Sequence, residues 1–502
     1  MSKICLCLTA KTLAANLEIL DKNRKYVDLV ELRADYLDPD ERFLIRRFPE
    51  MAGVPVILAI RRTIDGGSYA GGEGSRITLL AKGLAHAEAD RRRNFAFVDL
   101  EEDLNVPSLE EAARAFGTRI IRSWHSLEDA GEDLAGKLRS LRRVGDEIVK
   151  LRLMPRSLDE LLKVYQAAKE TRDMDKILVC TGKYCVNTGI LAELLGSQMS
   201  YTFPAGEEDC YGAEPGVPSP KELVELYRFH EITNKTRVFA VMGYPLNDND
   251  YPRFFNTIFG IEQADAVFVP VPADSVNSLM SLAEEIDISG ISIASPYKEK
   301  VLSFLAKVSK DVDTIGACNT LVASPQGWIG HNTDAAAFSG SLLDFIGRRD
   351  FRRRRLTVVG AGGYARAVAA EVYRLKGKAL ILDSNVSQAR ALAGLYNFAY
   401  AGLDSRGADM MESFSDIIVQ TSQAEAERYV EADPIEFYKF SGREVVMDIV
   451  HKPEKTRCLM RAQEAGCRVL NGYDMLLRQA RSQYSLYMNR EFPPSLISRV
   501  AF

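Results

Sequence analysis

The chain is poor in the residues that build metal centres and in the patterns that build cross-linked or membrane proteins. Its 502 residues include only five histidines, and none of its eight cysteines forms a Cys-x-x-Cys pair. No metal site is therefore expected, and the scattered thiols suit a reducing compartment better than a disulfide framework. No apolar run approaches the roughly 20 residues of a membrane span. The first such run, Ile4 to Leu8, is too short for the core of a secretory signal. An excess of one charge is also missing: 64 basic residues face 69 acidic ones, for a net charge of −5, so no polyanion partner is called for. One basic cluster, Arg348 to Arg355, reads as a solvated loop. Repeats and low-complexity tracts are lacking too. These absences leave a cytoplasmic protein acting on small-molecule substrates, with no nucleic-acid or membrane partner, as a monomer or homodimer. The length predicts two or three domains.

Of what is present, Leu356 to Asp383 is the most informative stretch. The apolar run Leu356 to Val359 reads as a buried strand, broken by Gly360-Ala361-Gly362-Gly363. Ala365 to Leu375 has helical composition, and a second apolar run, Ala379 to Leu382, ends on Asp383. Strand, tight turn, helix, strand and acid is the order of a dinucleotide-binding unit. Glycines let the backbone approach a pyrophosphate, the helix N-terminus offers unpaired N–H groups, and an acid about 20 residues on accepts from a ribose diol. Tyr364 after the turn and Ser384 after the acid complete the candidate cofactor set.

In the first half, short apolar or β-branched runs recur near Ile4–Leu8, Val27–Leu32, Val54–Ile60, Phe95–Leu100, Arg119–Ser123, Glu147–Leu151, Lys176–Cys180 and Met199–Phe203. Eight strands alternating with helical patterns predict a closed (β/α)8 barrel, whose functional side chains gather at the strand C-terminal ends. Those ends carry Glu31, Arg33, Arg61, Glu101, His125 and Lys150. A lysine among apolar and cationic neighbours can attack a ketone, and the protonated imine makes an adjacent C–H acidic enough for a histidine base. Gly66 to Gly74 is the expected lid.

On these residues the first half resembles type I 3-dehydroquinate dehydratase. The matching motifs are Asp28-Leu-Val-Glu31-Leu-Arg33-Ala-Asp35, Arg61 before Asp65-Gly66-Gly67, Asp99-Leu-Glu101, Ser123-Trp-His125 and Asp146-Glu-Ile-Val-Lys150. The resemblance implies that Lys150 forms the Schiff base, that His125 is the general acid and base, and that Glu31, Arg33 and Arg61 hold the substrate or order the site. The family's assisting Glu falls at Asp65, one methylene shorter, which loosens its expected contact with His125. The family's carboxylate-pairing Arg falls at Gly189, and its Ser-Ala-Pro-Gly-Gln loop reads Ala213-Glu-Pro-Gly-Val217. Lys183 is a possible replacement charge.

The second half, from about Val238, resembles shikimate dehydrogenase. Its matching motifs include Gly243-Tyr-Pro245, Ser295-Pro-Tyr-Lys298, Gly316-Ala-Cys-Asn319-Thr320, Asn332-Thr-Asp334, the glycine turn, and Gly472-Tyr-Asp-Met-Leu476 with Gln479. The resemblance implies Lys298 and Asp334 as the catalytic pair, with Asn319, Gln479 and Ser292 on the substrate. Both serines of the family's carboxylate-binding segment are replaced in Asp248-Asn249-Asp250-Tyr251-Pro252, leaving Asn249 and Tyr251 as donors. A tyrosine usual after the Asp-x-Val stretch is His451. The NADP-gripping Asn-Arg-Thr run is Asp383-Ser384-Asn385, an acid that repels a 2′-phosphate, so NAD(H) is expected over NADP(H).

The expected architecture is therefore α/β throughout: a barrel over 1–228, a substrate-binding domain over 236–335, and a Rossmann domain over 336–502 whose C-terminal helices return to the substrate domain. The implied function is bifunctional, dehydrating 3-dehydroquinate and reducing 3-dehydroshikimate. Two alternatives stand beside it. One is the same chemistry on quinate or a related cyclitol, because carboxylate-recognition positions have changed in both halves. The other is a non-catalytic sensor of pathway metabolites, which retention of Lys150, His125, Lys298 and Asp334 argues against.

Overall fold

The computed structural model describes residues 1–85, 93–126, 131–204, 217–243, 246, 250–422, 432–497 and 499–500. The chain divides into two compact units, Met1–Val238 with Phe259–Asp287, and Phe239–Ile258 with Ile288–Phe502.

Alternation of side chains in the first eight strands explains both layers of the first unit. These strands are β1 (Lys3–Leu8), β2 (Leu29–Arg33), β3 (Val56–Ala59), β4 (Phe97–Glu101), β5 (Arg119–Ser126), β6 (Ile148–Leu153), β7 (Lys176–Cys180) and β8 (Met199–Thr202). They form one sheet in the order β7-β6-β5-β4-β3-β2-β1-β8, with every ladder parallel. The last seam, between β7 and β8, is joined by a single parallel bridge from Lys176 to Ser197, and the Leu178 N–H donates to Ser197 Oγ at 3.0 Å. Successive strand residues point to opposite faces. Cys5, Cys7, Leu29, Ile57, Ile121, Ile148, Ile177, Met199 and Tyr201 accordingly cluster inside. Leu6, Leu8, Val30, Leu32, Val56 and Leu58 pack in a second cluster with residues of the surrounding helices, such as Leu20, Leu80 and Leu109.

The same parity aims the functional positions. Counting by twos from the inner residues leads from Leu29 to Glu31 and Arg33, from Ile57 to Ala59 and Arg61, from Ile121 to Ser123 and His125, and from Ile148 to Lys150 and Arg152. All lie towards the C-terminal ends of their strands, at one end of the barrel.

A mixed six-stranded sheet follows in the order β10-β9-β11-β13-β14-β12. Its strands are β9 (Arg237–Gly243), β10 (Ala266–Pro272), β11 (Ile288–Ile293), β12 (Leu305–Val308), β13 (Thr320–Ser324) and β14 (Gly327–His331). Of these, β13 and β14 form an antiparallel hairpin that the short apolar runs did not announce. The third sheet runs β17-β16-β15-β18-β19-β20, all parallel. It comprises β15 (Arg355–Val359), β16 (Lys378–Asp383), β17 (Ala399–Gly402), β18 (Ile417–Gln420), β19 (Val445–Asp448) and β20 (Arg468–Leu470). That is the 3-2-1-4-5-6 order of a dinucleotide-binding sheet, with its switch point between β15 and β18. The glycine turn leaves β15 at this point.

Candidate active sites

In the barrel, Lys150 is 1% exposed and its ammonium has three polar neighbours. It donates to Asp99 Oδ2 at 2.8 Å, to Tyr201 Oη at 2.9 Å and to Glu31 Oε2 at 3.0 Å. Arg61 Nη2 stands 3.6 Å from both Glu31 and Asp99. Burial raises the cost of the two carboxylates, yet Lys150 and Arg61 hold both below the ordinary carboxylate range. Ser123 Oγ donates to the other oxygen of Asp99 and sits 3.2 Å from His125 Nε2, so His125 is joined to Lys150 through Ser123 and Asp99. Burial, then the positive charges of Arg61, Lys150, Arg152 and Arg33, drive the His125 pKa well below 6.5. The imidazole is therefore neutral at pH 7 and able to accept a proton.

Arg33 is held bidentately by Asp35, at 2.9 and 2.7 Å, and the same carboxylate accepts from the Ser68 N–H at 2.9 Å. The expected lid is thus tied at its start. Asp65 stands apart from this network: it accepts from Arg62 at 2.7 Å, while among the described residues His125 Nδ1 has no hydrogen-bond partner. Glu101 pairs with buried Arg76. An open cavity of about 760 Å³ is lined by Glu31, Arg33, Arg61, Lys150, Arg152 and Tyr201, together with Thr181, Thr188, Gly189 and Ser200. Lys183 is not in its lining; its ammonium lies 4.8 Å from the Tyr184 ring centre. Residues 213–216 lie outside the described residues. Sequence reasoning missed Tyr201, although its parity with Met199 on β8 points it inward.

In the second unit Asp334 begins the helix Asp334–Ile346, where the dipole favours an anion. It is fully buried and takes three side-chain donors: Lys298 Nζ at 2.9 Å, Asn319 Nδ2 at 2.6 Å and Gln479 Nε2. Three residues named from separate motifs therefore converge on the carboxylate of a fourth. The Lys298 ammonium also lies 3.2 Å from the Tyr364 ring centre. Ser292 hydrogen-bonds Tyr251, whose hydroxyl burial makes harder to ionise. Gln483, one turn after Gln479, donates to Ser292 Oγ at 3.1 Å and Thr320 Oγ1 at 3.0 Å. Its i+4 spacing from Gln479 was the signal available for it. Asp250, in the segment that replaces the family's two serines, is engaged by Lys452 Nζ at 2.6 Å and by His451 Nε2 at 3.2 Å. Two departures from the family pattern, Asp250 and His451, thus contact one another. Asn249 lies outside the described residues.

The glycine turn has a backbone that only glycine supplies. Gly360 has φ +110°, and a Cβ there would meet Thr421 Oγ1 at 2.7 Å. A Cβ on Gly363 would press on the Lys298 side chain at 3.1 Å. Gly362 precedes the helix Gly363–Arg374 with no side-chain cap, which leaves N–H groups for an anion. Asp383 Oδ2 accepts from the Ala361 N–H at 2.8 Å and Oδ1 from the Asn385 N–H at 2.7 Å, with Ser384 adjacent. An open cleft of about 730 Å³ is lined by Ala361, Gly362, Gly363, Lys298, Gln388 and Arg366. Arg366 was not anticipated; it pairs with Glu299 at 3.0 Å. These residues fit a dinucleotide, with Gly360 to Gly363 at its phosphates.

A parallel barrel with a buried lysine–histidine site, joined to a dinucleotide-binding α/β unit with a lysine–aspartate pair, defines a two-site enzyme class. Residues 4–234 match the type I 3-dehydroquinase family, and residues 241–321 match the shikimate dehydrogenase substrate binding domain. The chain is 24% identical over 493 residues to a bifunctional 3-dehydroquinate dehydratase/shikimate dehydrogenase of Arabidopsis thaliana, covering 93% of this chain and 79% of the relative. It is 31% identical over 263 residues to a shikimate dehydrogenase (NADP(+)) of Caldivirga maquilingensis, covering 51% of this chain and 94% of the relative. A solved structure of dehydroquinate dehydratase and shikimate dehydrogenase from S. pombe spans 99% of this chain and 98% of its own, at 22% identity and a TM-score of 0.41. The chain belongs to the bifunctional type I 3-dehydroquinate dehydratase/shikimate dehydrogenase family. No helix among the described residues is long and apolar enough to cross a membrane.

Proposed function

We propose that this protein dehydrates 3-dehydroquinate in the barrel and reduces 3-dehydroshikimate to shikimate in its second half. One observation carries the first reaction: a buried lysine is linked through Asp99 and Ser123 to a histidine held neutral by its surroundings. Glu31 and Asp99 are in reach to take a proton from the Lys150 ammonium. The free amine then attacks the C3 ketone, and loss of water leaves a protonated imine. His125 removes a proton from C2, and the imine accepts the electron pair as an enamine. Expulsion of the C1 hydroxyl, protonated by His125, forms the ring double bond, and hydrolysis of the imine releases 3-dehydroshikimate and Lys150. Asp65, on Arg62, would act on this step only after leaving that partner.

The second reaction rests on the Lys298–Asp334 pair. A dinucleotide held at Gly360 to Gly363 and Asp383 would supply the hydride for the ketone carbon. Lys298 gives its proton to the developing alkoxide, while Asp334, fixed by Asn319 and Gln479, holds the ammonium in place. Ser292 and Tyr251 offer hydroxyls to the ring. Asp383 places a carboxylate at the end of β16, where the ribose 2′ position is expected, and this supports NAD(H) over NADP(H). Relatives of the dehydrogenase half are named for NADP(+), so this preference sets the chain apart from them.

Incubation with 3-dehydroquinate and borohydride tests the first site: the reduced adduct is expected on the peptide containing Lys150. A folded protein that yields no adduct has no imine chemistry. Reduction of 3-dehydroshikimate, followed by loss of NADH or NADPH absorbance, tests the second site and the cofactor choice together.

A further inference from the structure

The dehydratase reading leaves the substrate's carboxylate without a partner, because the wall formed by Thr181, Thr188, Gly189 and Ser200 carries no cation among the described residues. Elsewhere in the lining, Lys150 and Arg61 face Glu31 and Asp99, and Arg33 is clasped by Asp35. Lys150 and Arg61 thus share one pair of acids, and Arg33 has its own. The fourth cation in the lining is Arg152.

Arg152 follows Lys150 by two residues on β6, so it points to the same inner face, about 7 Å nearer the mouth. In the parallel ladder its Cα partner on β5 is His125, just as Lys150 is partnered by Ser123. The chemistry requires this neighbourhood. The carboxylate of 3-dehydroquinate and the hydroxyl that leaves share one ring carbon. His125 must reach that hydroxyl, so whatever holds the carboxylate must stand beside His125, while the imine carbon is tied to Lys150. A guanidinium there can take a carboxylate through two parallel hydrogen bonds.

We infer that Arg152 is the carboxylate anchor of the barrel site, binding the substrate from β6 beside His125 instead of from position 189. The proposal rests on the dehydratase reading. It makes the loss of an arginine at position 189 a relocation of charge to another strand, with the substrate unchanged. Arg152 then performs two tasks: it orients the leaving hydroxyl towards His125, and its charge helps keep that imidazole neutral.

The test compares 3-dehydroquinate with its carboxamide, using the full-length protein and its Arg152→Ala and Arg152→Lys variants. The readout is the ratio of kcat/KM for acid over amide, which partial misfolding does not move because both are measured on the same active molecules. In the unaltered protein the acid is preferred. Arg152→Ala should lower that preference by about 10- to 100-fold, through KM more than kcat, and Arg152→Lys should recover part of it. An unchanged ratio in Arg152→Ala overturns the proposal even if overall activity falls. Absence of a borohydride adduct on Lys150 in the unaltered protein overturns the dehydratase reading and this proposal with it. An adduct with an unchanged ratio removes the anchor alone.

Discussion

The ammonium of Lys298 lies over the ring of Tyr364, 3.2 Å from its centre, while donating to Asp334 at 2.9 Å. The aromatic face and the carboxylate together fix the position of this ammonium. Tyr364 follows the glycine turn directly, so the second residue of the helix Gly363–Arg374 also orients the Lys298 ammonium.

Replacement of Tyr364 separates these roles. A cation–π contact of this kind is worth about 1–2 kcal/mol. Tyr364→Leu should therefore cost the dehydrogenase about 5- to 30-fold in kcat/KM, whereas Tyr364→Phe stays within about threefold. Dehydratase activity should be the same in all three proteins. Equal losses in the Leu and Phe variants would show that the hydroxyl, and not the ring face, matters.

Lys150→Met should abolish the borohydride adduct and leave the dehydrogenase intact. It also strands Glu31 and Asp99 inside the barrel with Arg61 as their main counter-charge, at a cost of about 3–5 kcal/mol. In the unaltered protein both carboxyls are held low, so their contribution is present above the ordinary carboxylate range and lost as pH falls through their folded values. In the variant the stranded carboxylates gain by protonation instead. The difference in Tm between the two proteins should therefore shrink on going from pH 8 to pH 5, and thermal melts at both pH values measure it.

His125 acts as a base only when neutral, and its pKa lies well below 6.5. Dehydratase kcat/KM should therefore show no His125 limb between pH 6.5 and 8, with the acid limb falling below pH 6.5. His125→Ala should lose about 100- to 10,000-fold in kcat. A midpoint above 6.5 in the pH–rate profile would place another group in control.

Asp383→Asn keeps an acceptor for the Ala361 N–H and removes the charge. Repulsion between a carboxylate and a nearby phosphate, about 1–4 kcal/mol at an effective dielectric near 20, should then be relieved. The ratio of kcat/KM for NADPH over NADH should rise by about 10-fold or more. If the starting protein already prefers NADPH, the assignment of Asp383 as the discriminating residue fails.

The two halves were legible to different depths. Strand parity alone, read from Cys5, Ile57 or Ile148, aims Lys150, His125, Glu31 and Arg61 at one interior, because a strand has only two faces. The glycine turn and Asp383 were equally plain, since the positive φ at Gly360 favours glycine and an acid closes the second strand of such a unit. The partners of Lys150 were less plain. Asp99 and Tyr201 are each 51 residues away in sequence and Glu31 is 119 away, and no local pattern specifies which inward acid a lysine will touch. Asp65 illustrates the same point: its place in the motif suggests His125, yet Arg62, three residues back, takes it first.

The amino-acid sequence by itself determined the strand faces, the glycine turn and the choice of candidate reactive groups, all of which depend on spacing and residue type along a few neighbouring positions. Only the tertiary structure decided how charge is shared among them. Closing the barrel brings Glu31, Asp99 and Lys150 within hydrogen-bond distance, folding the second unit sets three other motifs around Asp334, and the β5–β6 register puts Arg152 beside His125. Electrostatic energy depends on distance through space and on burial, and neither is a property of position along the chain.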